Sequence, residues 1–231
     1  MRTYRTMLAV AVAGLAASSA MAQTGGIRNS AHNFSSFSWS DNQICKPCHI
    51  PHGGNTAAGA LWNHTLSNAT YTLFDGSSSA AGGADALDRV SLLCLSCHDG
   101  TVALDSFGGL TNGTTYVDSA PYDGAAKLGS DLQNDHPIGK EAVYSTSTTS
   151  TSWNPQTITG AGTTSERHKI YTPGSTTQSL SLYKMTVSGA DAWVVGCKTC
   201  HDPHNNGTGA PPKMLRFSNT SSALCLTCHI K

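Results

Sequence analysis

All eight cysteines of the 231-residue chain fall in four copies of one pentapeptide, Cys-x-x-Cys-His: Cys45-Lys-Pro-Cys48-His49, Cys94-Leu-Ser-Cys97-His98, Cys197-Lys-Thr-Cys200-His201 and Cys225-Leu-Thr-Cys228-His229. Residues i, i+3 and i+4 lie on one face of a helical turn, so each copy presents two sulfurs and one imidazole to the same side. Both thiols can then form thioethers along one porphyrin edge while the histidine reaches the iron, and the spacing is the attachment signature of c-type haem. Two four-cysteine zinc sites or four disulfides also use eight cysteines. Neither explains a histidine directly after every second cysteine. The sequence therefore predicts four haem c groups. Their thioethers are at Cys45, Cys48, Cys94, Cys97, Cys197, Cys200, Cys225 and Cys228, and their proximal iron ligands are His49, His98, His201 and His229.

The remaining histidines bear on the opposite face of each iron. Of ten histidines, His32, His52, His64, His136, His168 and His204 are left over, while only Met185 and Met214 persist beyond the N-terminal segment described below. Bis-histidine ligation at all four irons is the simplest assignment, and it implies low potentials relative to Met/His sites. In Cys48-His49-Ile-Pro51-His52 and Cys200-His201-Asp-Pro203-His204 the second histidine follows the first by three residues, a reach of about 10–11 Å. That is too short to pass round a porphyrin, so His52 and His204 are predicted to ligate haems other than the one their neighbour holds. His64, after Trp62 with its flat apolar face, and His136, before Pro137, complete the predicted distal set. His168, among Glu166, Arg167 and Lys169, and His32, in an Asn/Ser stretch, rank below these four.

Only 39% of residues are hydrophobic and 12% charged, against a usual charged share of about 25%. Ser, Thr, Gly and nine prolines favour irregular backbone. Such a chain cannot rest on a large aliphatic core. The expected fold is mostly coil with a few short α-helices and minor β, a single domain over residues 23–231 wrapped around a chain of four haems. Between Gly83 and Gly100 the positions Leu87, Val90, Cys94, Cys97 and His98 recur at three- and four-residue steps, which predicts the best helix of the chain. A shorter one is expected from an N-cap at Ser221 or Ser222 to His229, and Pro47 and Pro51 limit the first motif to a brief turn. Leu180–Val187 reads as a strand paired with 169–171. The tract 145–152 is a Ser/Thr run of low complexity, expected as an exposed loop.

Arg2 and Arg5 precede an apolar stretch from Met7 to Ala17, and Ala20-Met21-Ala22 supplies a small-x-small cleavage pattern. Residues 1–22 are thus expected to be a secretory signal peptide. The apolar run falls short of the ~20 residues that span a bilayer, and no cysteine follows the cleavage site to take a lipid anchor. The leader removes two basic residues and no acidic one, so the mature chain moves from formal neutrality to −2. No Lys/Arg run suggests nucleic acid or anionic lipid as a partner.

The stretches 45–54 (CKPCHIPHGG), 61–64 (LWNH), 94–101 (CLSCHDGT) with His136-Pro137, and 197–204 (CKTCHDPH) resemble the multihaem cytochromes of metal-respiring bacteria. With four sites and no lipid anchor, the chain is most similar to the OmcE-type tetrahaem cytochromes that polymerise into extracellular filaments. The resemblance implies bis-histidine haems stacked in a continuous row, with one distal histidine donated across the subunit boundary. On the matching position, His52 would ligate a haem of the adjacent subunit in a homopolymer, the one held at Cys225 and Cys228. Three functions follow: an extracellular conductive filament subunit, a monomeric periplasmic electron shuttle, or a haem enzyme such as an oxyanion reductase. An enzyme needs an open iron position, and histidines outnumber what the irons require. Electron transfer without catalysis is the expectation, with other redox proteins or extracellular acceptors as partners. Low charge and abundant Ser/Thr favour the filament, since a docking shuttle benefits from a charged face.

Overall fold

The computed structural model describes residues 25–59, 61–74, 79–82, 84–122, 124–144, 154, 167–207 and 211–230. The leader and the Ser/Thr tract lie outside them. Among the described residues no helix is long and apolar enough to cross a membrane.

Coil and single turns dominate, as the composition requires, with two small sheets and two helices between them. In the first sheet β1 (Tyr71–Phe74) pairs antiparallel with β2 (Ser79–Gly82) and parallel with β3 (Asp131–Leu132). Tyr71 and Leu73 alternate inward and join Leu87, Leu95 and Leu132 in one small core. Helix α1 (Arg89–His98) starts where Asp88, in extended conformation, accepts from the backbone N–H groups of Val90 and Ser91. Such an N-cap contributes about 1 kcal/mol. It also sets the start of the helix later than the apolar spacing from Gly83 suggests. Residues Ala84–Ala86 form a separate 3-10 turn.

The second sheet is a meander in which β5 (Ser179–Val187) lies between β4 (Arg167–Tyr171) and β6 (Ala190–Val194). The strand expected at 180–187 is present, and Ile170 pairs with Leu180 as expected. Ile170, Leu180, Leu182, Val195, Phe217 and Leu224 form a second apolar cluster. The short helix α2 (Cys197–Cys200) is fixed to β5 by Thr199, whose hydroxyl donates to the Ser181 carbonyl at 2.7 Å. Gly139 joins the two halves: its N–H donates to the Val195 carbonyl at 2.9 Å. Its φ is +64° and a Cβ there would lie 2.3 Å from the Ala86 carbonyl, so only glycine is tolerated.

The C-terminal helix expected from Ser221 or Ser222 is instead two 3-10 turns, Thr220–Ser222 and Cys225–Thr227. Both serines sit in the left-handed region, at φ 55° and 61°, which interrupts any continuous helix. Asn219 spans the first of these turns, its Oδ1 accepting from the Leu224 N–H at 3.1 Å.

Candidate haem-binding site

Each Cys-x-x-Cys-His copy forms the helical turn its spacing demands. The histidine N–H donates to the first cysteine's carbonyl in His49 (2.8 Å), His201 (3.1 Å) and His229 (2.9 Å), while Cys94 to His98 form the last turns of α1. None of the eight cysteines is in a disulfide. The turns also touch in chain order. Burial pushes the Cys97 thiol up, with Cys48 as the next contributor. Cys94 and Cys197 influence each other, the first thiol shifted up and the second down. Burial, then Cys200, lifts Cys228 to about 12. The first motif thus adjoins the second, the second the third, and the third the fourth.

Three motif histidines each lie beside another histidine. The ring centres of His98 and His32 are 6.0 Å apart, those of His49 and His204 6.1 Å, and those of His136 and His229 6.2 Å. Metal–imidazole bonds of about 2 Å on either side, plus roughly 1.2 Å from nitrogen to ring centre, separate two axial imidazoles on one metal by about 6 Å. Hydrogen bonding selects the tautomer as well. Nδ1 of His98 donates to the Ala126 carbonyl (2.7 Å), Nδ1 of His32 to Pro203 (3.2 Å), Nδ1 of His136 to Pro137 (2.8 Å) and Nδ1 of His201 to Lys213 (2.8 Å). A carbonyl only accepts, so in each neutral ring Nε2 keeps its lone pair for a metal.

The other predicted distal residues are placed differently. His64 is 1% exposed. Its Nδ1 lies 2.8 Å from the Thr65 carbonyl, and its Nε2 lies 3.1 Å from the Ala103 carbonyl and 3.5 Å from Cys97 Sγ. Burial lowers its pKa, and the neutral ring has one N–H to donate, so one of these carbonyls accepts from it and the other only lies beside it. His168 is buried on β4 against Trp193, with ring centres 5.6 Å apart, and burial lowers its pKa. The solvated setting suggested by its charged neighbours is not what the strand gives it. His52 is exposed in the turn after the first motif. Among the described residues, no histidine faces His201 as the other three proximal rings are faced.

The site's surroundings suit a porphyrin. Cys45, His49, Ile50, Pro51 and Leu61 line a largely apolar cavity of about 420 Å³. The indole N–H groups of Trp39 and Trp62 are buried without an acceptor, and Trp62 packs edge-on to His49 at 6.1 Å. Leaving such a donor unpaired costs on the order of 1–3 kcal/mol, and haem propionates are acceptors of the right kind. Local sequence gave little sign of His32. The one clue is Phe34, an apolar residue in a polar stretch, which is buried and stacks on the His32 ring at 6.0 Å.

Residues 192–231 match the family described as doubled CXXCH motif. The comparisons with curated proteins and with solved structures returned no match. The doubled motif indicates covalently bound haem c and haem-based electron transfer, and it suggests a multihaem c-type cytochrome.

Proposed function

We propose that the chain is an electron carrier with four covalently attached, bis-histidine c-type haems, and that it works as the subunit of a secreted, extracellular conductive filament. Each haem would be held by the two cysteines of its motif, and the bound group supplies the reversible one-electron couple. The observation that carries the reading is the set of three facing histidine pairs, each joining a motif histidine to a ring whose approach comes from a distant part of the sequence. On this reading His204, His32 and His136 are the distal ligands for the haems of His49, His98 and His229. An iron with two histidine ligands has no position for a substrate, which favours electron transfer over an enzymatic role.

The haem of His201 then takes its second ligand from outside the chain. His52 is the exposed histidine available, and the resemblance to polymerising cytochromes assigns it this role in an adjacent subunit. On this reading the acceptor is the haem at Cys197 and Cys200 instead of the one at Cys225 and Cys228, because His136 lies beside His229. In a His52→Ala variant, one haem in four becomes high-spin and electron microscopy shows discrete particles. Filaments with fully low-spin haem in that variant contradict the assignment. Discrete particles of the unmodified protein under all conditions favour the periplasmic shuttle instead.

A further inference from the structure

The first turns of α1 and α2 meet apart from the Gly139 contact described above, and Asp88, Ser91 and Gly196, which belong to no Cys-x-x-Cys-His motif, make this second junction. Asp88 is 2% exposed and Ser91 fully buried. The Ser91 hydroxyl donates to Asp88 Oδ2 at 2.5 Å and accepts from the backbone N–H of Cys197 at 3.0 Å. Gly196 lies against the same pair: a Cβ on it would stand 2.3 Å from Asp88 Oδ2 and 2.7 Å from Ser91 Oγ. The Gly196 N–H donates to the Thr199 hydroxyl at 2.9 Å, and that hydroxyl holds β5. One end of the joint is therefore the helix carrying Cys94 and Cys97, the other the turn carrying Cys197 and Cys200.

From this we infer that Asp88, Ser91 and Gly196 are positioning residues for the electron step between the second and third haems. The inference rests on the reading above that each motif carries a haem. In the step one electron leaves the second site, which is oxidised, and reduces the third; no bond or proton changes. Its rate depends on the separation and orientation of the two groups. A hydroxyl bridge locked by a buried carboxylate, with no room for a methyl group, holds both where they are.

The test uses holoprotein, with haem content and low-spin spectrum measured first, so that loss of a haem is distinguished from loss of spacing. In S91A and G196A, four haems are retained, but the coupled Soret circular dichroism signal of neighbouring porphyrins changes and electron equilibration between the halves after rapid photoreduction slows. D88N keeps a good N-cap but puts an N–H2 donor where Oδ2 accepted the Ser91 proton, so the joint loosens and its rate falls in the same direction as in S91A. Unchanged coupling and rate in S91A, with four haems present, overturn the inference even if G196A does not fold. An unchanged rate and unchanged Soret coupling in D88N, with four haems present, overturn the role given to Asp88.

Discussion

A histidine whose Nδ1 donates to a backbone carbonyl is fixed in the tautomer that leaves Nε2 basic, and His32, His98, His136 and His201 are all in this state. His64 differs because carbonyls lie beside both of its nitrogens. The two kinds of residue should respond differently to truncation. His32→Ala is expected to turn one haem in four high-spin and open it to carbon monoxide, visible in absorption and electron paramagnetic resonance spectra. His64→Ala is expected to leave the spin state unchanged and to lower stability by roughly 1–3 kcal/mol, measured by denaturant titration, because a buried carbonyl loses its donor. The four Cys-x-x-Cys-His turns were legible in the sequence because their geometry is set within five residues. The facing pairs were not. The His32 ring is held by Pro203, a contact across 171 positions, and no local pattern records it.

Strand alternation explains why His168 misled a reading based on its neighbours. Lys169 points out from β4, whereas His168 and Ile170 face inward onto the second cluster. Burial lowers the His168 pKa below its ordinary value of 6.5. The unfolded chain then binds the extra proton more readily, so the contribution of His168 is fully present above pH 6.5 and is lost as pH falls through the lower, folded value. His168→Leu is expected to flatten the loss of thermal stability on acidification below about pH 6.5 and to leave every haem low-spin. A high-spin haem in that variant would instead make His168 an iron ligand. At the same scale, β5 and α1 were readable from periodicity. The C-terminal turns were not, because Asn219 and two left-handed serines decide them by backbone conformation.

At the scale of the molecule, two modest apolar clusters and two three-stranded sheets among the described residues must order a long coil. Fixing each residue costs about 1–2 kcal/mol of backbone entropy, so bonds to a prosthetic group are a natural source of the missing stability. Haem-free protein is accordingly expected to give no cooperative thermal transition by circular dichroism. The loop-rich character was legible from the Ser, Thr, Gly and Pro content, while the order of contact between the motifs depended on long-range packing. Everything at this scale presupposes that the four turns carry covalent haem, and the intact mass of the purified mature protein tests that most directly. A mass equal to the polypeptide plus four haems, unchanged by denaturation, is the expected result. A mass equal to the polypeptide alone contradicts it.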